Sequence, residues 1–476
     1  MRTPSSASST RGWLPVALVG LAAIVAGCAT YYQKSAAFQQ HFVKGEFREA
    51  AAELERDPGA STGKSRLLYF LQQGTVQQLL EEYESSNEAF ESAYFFTQDL
   101  RRNYPAEMFS LLSNPMTLPY RGEDFERVQI HYFKAVNYLL LDRPDEALVE
   151  CRRIGIELDR LDDQYGGRNS RYRRDAFALN IMGIVYDAAG DDNNAFIAYR
   201  NAYDAYREGY ARQFDVKAPR QLKLDLLGAA RRSGLAEEAE QYEKEFGFGP
   251  SERAPGQGDV VLLWHNGLGP VKGEWSLNFF LVRGAGGIVT FVNEDLGVSI
   301  PFPLGSGGDA STLSDLKFVR VAFPRYLERK PYYRTAEAIV AGRSVPLERT
   351  QDLNAIAFKS LEDRMLRELG TSLLRLAIKQ ATERTLRGKN ENLGALLSVA
   401  NALTEKVDTR NWQTLPHAIS YARIRLPAGT HRVQLRAISP HGSNSENRSL
   451  EVAVEEGKTV FALVHSLTSI PLEPHP

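Results

Sequence analysis

Several residue groups in this 476-residue chain have types and spacings that could do chemistry. Gly59-Ala60-Ser61-Thr62-Gly63-Lys64-Ser65 approaches a phosphate-cradling loop. It is one residue short of the GxxxxGK[ST] pattern and follows a helical stretch, whereas the mechanism needs a strand leading into a helix N-terminus. Ser314 and Lys317 have the SxxK spacing of an acyl-transfer nucleophile, but the Ser-Asp-Asn and Lys-Thr-Gly elements that complete such a site are missing. The eight histidines are scattered, and none pairs at ligand spacing with a third donor in view, so no metal site is expected. Glu294-Asp295 is the one adjacent acidic pair worth inspecting for hydrolysis. On a strand the two side chains would point to opposite faces and could not easily act on one substrate. The sequence nominates no catalytic residue and no cofactor.

Cys28 carries a stronger signal. Arg2 and Arg11 precede an apolar run from Trp13 to Val25, which ends at Val25-Ala26-Gly27-Cys28. A basic start, a short apolar core and small residues before the cut make a secretory signal over residues 1–27. The run is too short to span a membrane comfortably, which takes about 20 apolar residues. Val-Ala-Gly-Cys resembles the bacterial lipobox, which implies a diacylglyceryl group on the Cys28 thiol. Because Ala29 and not Asp follows, resemblance to the usual sorting rule implies the periplasmic face of the outer membrane. One acyl chain binds only marginally, at about 0.8 kcal/mol per buried methylene, and more than one anchors stably.

Composition is that of a globular chain, 43% hydrophobic and 24% charged, with a formal net charge of −2 that gives no case for nucleic acid. Beyond Cys28 the only cysteine is Cys151, so an intramolecular disulfide is not expected.

The elements that must position any site fall into two halves. Residues 28–250 read as a helical repeat array. Leu179, Gly183, Tyr186, Ala195, Tyr199 and Ala202 define one unit; Gly74, Ser86, Phe90 and Ala93 repeat its offsets, as do Ala135, Tyr138, Ala147, Cys151 and Ile154. Small residues at these offsets let paired helices approach, as in the tetratricopeptide (TPR) repeat that the spacing resembles. Weaker copies lie at 45–54 and 226–246. This places Cys151 at a packing position, where a thiol behaves as a small hydrophobe. Stacked pairs make a solenoid whose groove is lined by the first helix of each pair. By offset, Gln129, Tyr132, Phe177, Asn180 and Asp187 are the groove candidates for binding a protein partner. A basic insert, Gly166 to Arg174, reads as a solvated connection whose arginines pair with nearby acids.

Residues 251–258 are a Gly- and Pro-containing linker, after which the period becomes that of strands. Asp259 to His265 and Leu277 to Val282 are apolar runs. Val433, Leu435 and Ala437 alternate with charged or polar residues, as do Val452 and Val454. Tight turns at Pro427-Ala428-Gly429 and Glu456-Gly457-Lys458 fit an immunoglobulin-like sandwich over 259–476, interrupted by a helical insertion at about 352–406. The predicted fold class is therefore α+β, a TPR-like α-solenoid followed by a β-rich domain.

Three stretches, Tyr120 to Arg127 running into His131-Tyr132-Phe133, His265 to Lys272, and Asp408 to Pro416, together resemble a family of uncharacterised bacterial lipoproteins with TPR-like N-terminal halves. The resemblance implies the two-part architecture and no activity. The expectation is a non-enzymatic envelope scaffold, anchored through Cys28 and gripping a protein partner in its groove. The alternative is a cell-wall or polysaccharide-binding module or hydrolase.

Overall fold

The computed structural model describes residues 35–57, 59–103, 118–164, 174–251, 253–283, 288–293, 298–303, 318–363, 407–440 and 445–471. Cys28, Ser314, Lys317, Glu294-Asp295, most of the basic insert and residues 364–406 of the expected helical insertion lie outside them. Residues 353–363 are helical.

The first half is built of helix pairs: α1 (Ala36–Lys44) with α2 (Phe47–Glu55), α3 (Arg66–Leu79) with α4 (Tyr83–Asn103), α5 (Asp124–Leu140) with α6 (Pro144–Gln164), and α7 (Ala176–Ala188) with α8 (Asp192–Ala205). A π-turn at Tyr206–Tyr210 and the short α9 (Ala211–Phe214) lead to the last pair, α10 (Arg220–Arg232) and α11 (Ala236–Phe246). The repeat offsets have a direct physical cause. A Cβ added to Gly183 would lie 2.4 Å from the Tyr199 ring, and one on Gly74 would lie 2.8 Å from Phe90. In the α5–α6 pair Ala135 stands at the offset of the glycine and Cys151 at that of the ring, and both are buried. Each of these pairs then turns through one left-handed residue seven positions past the small one, at Glu81, Asp142 and Gly190.

Strands begin at Gln257. Among the described residues, twelve strands form three four-stranded sheets. The central sheet, in the order β12 (Thr459–Ser466), β1 (Gln257–Asn266), β9 (Ala418–Pro427), β8 (Glu348–Asp352), pairs β1 parallel to β12 and antiparallel to β9. A second sheet, β11 (Ser445–Val454), β10 (Gly429–Ile438), β6 (Thr335–Val340), β7 (Arg343–Pro346), packs on one face of it to form a sandwich. Alternation supplies that core: Val260, Leu262, Ala422, Ile424 and Val464 meet Ala336, Ala338, Val433, Leu435 and Val452. The third sheet, β4 (Val298–Pro303), β3 (Ile288–Asn293), β2 (Val271–Arg283), β5 (Phe318–Leu327), extends from the end of β1. Of this sheet the sequence anticipates the strand at Leu277 to Val282 and a hairpin from it into Ile288, and β2 and β3 do pair antiparallel; β4, β5 and the β6–β7 hairpin were not anticipated.

The opposite face of the central sheet is not solvated. Val261, Leu263, Ile419 and Tyr421 join one continuous core with the first helices of the pairs. The run Val260 to Leu263 is therefore apolar without a break because both of its faces are buried. The two halves share a core and are not independent units.

Candidate functional site

The most chemically dense region is the joint between the first helices and the central sheet. At one end the three family-like stretches converge. Glu123 and Glu126 form a reciprocal capping box at the start of α5. The Glu126 carboxylate also accepts from the Tyr120 hydroxyl (2.6 Å) and from the backbone N–H of Trp412 (2.7 Å). Lys272 Nζ donates to Glu123 (2.7 Å), and Asn411 binds the backbone on both sides of Val271, accepting from Lys272 N (3.2 Å) and donating to Pro270 O (2.8 Å). Arg410 is only 2% exposed, pairs with Asp408 and donates to the carbonyls of Lys64 and Leu118. Trp412 is fully buried, packs its ring on Phe90 and Phe133, and donates to Thr75 (3.1 Å) and Thr414 (2.8 Å). Burial, then the neighbouring Glu123 carboxylate, pushes Glu126 up to about 7.

Mid-joint, Tyr132 and His265 share a hydrogen bond (2.9 Å), and His265 meets His465 edge-on at 4.7 Å between ring centres. Burial pushes His265 well below its ordinary pKa and His465 down to about 3, so both rings are neutral at physiological pH. They line a narrow cavity with Phe42, Thr75, Phe133 and Thr414, with room for about one water molecule.

At the far end the contact is ionic. Arg423 on β9 binds Asp187 of α7 (2.7 Å) and Asp225 of α10 (2.8 Å), and all three side chains are less than a tenth exposed. Burial works against the Asp187 charge, but Arg423 and Arg232 overcome it and hold the carboxyl low. Asp225 is buried more deeply and is pushed up despite Arg423. On the same side, Glu348 of β8 accepts the first backbone N–H groups of α10, from Arg220 (2.8 Å) and Gln221 (3.0 Å). Gln351 donates to Asp175, the N-cap of α7 (2.6 Å), and Tyr206 of the π-turn donates to Thr350 O (2.8 Å).

These contacts correct the groove assignment. Gln129, Tyr132, Phe177 and Asn180 are at most 2% exposed, and the Asp187 side chain is 9% exposed. The first-helix face they line is covered by the chain's own central sheet: Tyr132 reaches His265, Phe177 lies 6.3 Å from the Tyr421 ring, and Asp187 holds Arg423. In this arrangement the first four are closed off from an external partner, and Asp187, at the edge of the joint, is engaged by Arg423 and Arg232. The offsets located the inward face but not its occupant. Sequence reasoning missed Arg423, Tyr421 and His465 among the residues that fill it, and singled out the stretch holding Trp412 without assigning it to this face. The recurrent aromatic and arginine residues of 410–423 were the available signal.

The joint is filled by the chain's own side chains, although both side-chain polar atoms of Gln129 and of Gln413, and Nδ1 of His265, are buried there without a hydrogen-bond partner. Among the described residues no group of three or more His, Cys, Asp or Glu side chains could hold a metal ion. Burial raises the Cys151 thiol to about 12, so it is a packing residue. Gly59 to Ser65 forms turns between two helices. Arg174 of the basic insert pairs with Glu208 (3.4 Å).

No family model matches the chain, and no curated protein matches it. Solved structures similar to part of the chain include MamA protein, 16% identical, covering 44% of this chain and 87% of that one at a TM-score of 0.29. A putative kinesin light chain of nearly identical TPR-like repeats from Podosopora anserina is 14% identical over 45% of this chain and 91% of that one, TM-score 0.30. Aspartyl phosphate phosphatase F from Bacillus subtilis is 12% identical over 49% and 53%, TM-score 0.31. Similarity this low carries no argument about activity.

Proposed function

We propose that the protein is a lipoprotein held by acyl chains on Cys28 at the periplasmic face of the outer membrane, where it serves as a protein-interaction scaffold without catalysis. The observation that supports this best is the filled joint. A repeat array whose inward face is closed by its own sheet is a rigid platform, and it leaves the outward faces of the second helices for a partner. Those faces carry exposed apolar side chains: Phe95 on α4 at 58%, Val149 and Ile156 on α6 at 45% and 67%, and Ile197 on α8 at 37%. Val149 and Ile156 are two turns apart and share one face of α6. The partner surface of this reading is therefore the outside of the stack, in place of the groove.

Two measurements test it. A metabolic acyl label should mark the wild-type chain in the outer-membrane fraction and vanish in Cys28→Ser; unlabelled wild type would end the anchor reading. A photo-crosslinking residue at Ile156 or Phe95 should give discrete adducts in intact envelopes, while one at Glu456, on a turn of the sandwich, should not. Adducts from neither helix position would end the scaffold reading.

A further inference from the structure

The second helices of the middle repeats join into one outward surface. Helices α4 and α6 lie side by side and run in the same direction. Glu84 near the start of α4 meets Arg143 just before α6 (3.7 Å), Glu91 and the Tyr94 ring meet Arg153, and Arg101 binds Glu157 (2.5 Å). Phe95 and Ile156 stand between the last two of these contacts, and Val149 lies two turns before Ile156 on the same face. All three side chains are exposed, Ile156 the most. Beside Ile156, a Cβ added to Gly155 would touch nothing, so α6 leaves open space there.

The charge on this surface is not balanced. Helix α4 has four carboxylates and two arginines, and α6 has seven and three. The cations between the helices go to the more buried carboxylates: Arg153 to Glu91 and Glu150, and Arg101, Arg160 and Arg127 of α5 to Glu157. Toward solvent, Glu88, Asp99, Asp145, Glu146, Asp159 and Asp163 are exposed and make no ion pair with a described residue. Against these six are two exposed arginines outside any described ion pair, Arg102 and Arg152, and Arg152 donates to the Tyr186 hydroxyl (3.2 Å). The last turn of α6 holds Asp162 and Asp163 and no cation. The backbone dipole disfavours carboxylates there, so helix stability does not explain them. Arg174, the next described residue after α6, pairs with Glu208 instead.

The apolar residues sit within this acidic frame. Val149 has Asp145 one turn before it, Ile156 has Asp159 one turn after it, and Phe95 lies two turns past Glu88 and one before Asp99. Apolar anchors two turns apart match the i, i+7 spacing of an amphipathic helix. The surrounding carboxylates favour lysine and arginine on its polar side and repel an anionic lipid surface. We propose that a basic amphipathic helix of a partner protein docks on the joined outward faces of α4 and α6, with its apolar side chains over Phe95, Val149 and Ile156 and its cations toward Glu88, Asp145 and Asp159. The inference rests on the scaffold reading and names the chemistry of its partner.

The test places a photo-crosslinking residue at Ile156 of the full-length chain in intact envelopes and sequences the adducts by mass spectrometry. Adducts should map to a segment of another protein that has more lysine and arginine than aspartate and glutamate, with apolar residues at helical spacing. Glu88→Lys, Asp145→Lys and Asp159→Lys together should lower the adduct yield severalfold. The neutral set Glu88→Gln, Asp145→Asn and Asp159→Asn should lower it less. The three side chains are exposed and outside the described ion pairs, so the urea midpoint of either set should stay near that of the wild type. Yields unchanged in both sets, or adducts that map to an acidic segment or to a second copy of this chain, would overturn this inference and leave the scaffold reading standing. The absence of adducts at both Ile156 and Phe95 would overturn the two together.

Discussion

On β9, Arg423 and Ile424 are neighbours in the chain but belong to different interfaces. Ile424 points into the sandwich among Val260, Leu262, Ala338 and Leu435, where attraction is non-directional and proportional to buried area. Arg423 points at the helices and is held by Asp187 and Asp225, where geometry decides everything. The difference teaches how one sheet serves two neighbours. Its aliphatic face needs only the right volume, so it can lie on any well-shaped sheet. Its helix-facing side is apolar at Val261, Leu263 and Ile419 but also carries Arg423, His265, Tyr421 and Gln351, which meet particular helix residues. That face fixes which helices meet which strands.

The comparison can be broken most sharply at Arg423. Arg423→Leu leaves the buried Asp225 without its cation and Asp187 with Arg232 alone, and should cost about 3–5 kcal/mol, read as a shift in the urea midpoint. Replacing Asp187, Asp225 and Arg423 together by Leu should recover much of that loss. If the triple variant is no more stable than the single one, the charges are not the source of the cost. Next in size is Gly183→Ala, which drives a methyl group into the Tyr199 ring and should cost about 1–3 kcal/mol by thermal unfolding. An unchanged midpoint would mean that the helix pair can move apart freely. On the aliphatic face Ile424→Val should cost only about 0.5–1.5 kcal/mol. A loss as large as that of Arg423→Leu would erase the distinction between the faces.

Acid should have the smallest net effect, because two carboxylates act with opposite sign. Glu126 is raised to about 7 in the folded protein. It therefore contributes stability that is full below the unfolded carboxylate range and is lost as pH rises through 7. Burial opposes the charge on Glu157 of α6, but Arg160, Arg127 and Arg101 overcome that and hold it at about 2. Its contribution is full above the unfolded value and is lost as pH falls toward 2. Urea titrations across pH should show Glu126→Gln flattening the slope between the ordinary glutamate range and pH 7 and leaving the acid limb unchanged. A slope that persists in Glu126→Gln would assign it to another group.

Part of this was legible in the sequence. The spacing of Gly74 to Phe90 and of Gly183 to Tyr199 follows from local helix packing, and the structure places a ring against each glycine. Pro427-Ala428-Gly429 announced the turn between β9 and β10. The β6–β7 hairpin had a signal that was passed over. Ala336, Ala338 and Val340 alternate into Ala341-Gly342, both left-handed. The edge strand β4 was harder to see, since Pro301 and Pro303 demote it in any strand reading.

By itself the sequence determined periodicity: which helix faces turn inward, where small residues permit close approach, and that the chain changes from helical to strand spacing near residue 250. These follow from interactions within a few turns of chain. Only the tertiary structure decided what lies against the inward face. Asp259 pairs with Thr459, two hundred residues away, and Tyr132 meets His265 across more than a hundred. An apolar or polar residue at an inward offset records that water is excluded there. It carries no mark of whether the excluding surface is a separate partner or, as here, a sheet of the same chain, because burial has the same energetic sign for both.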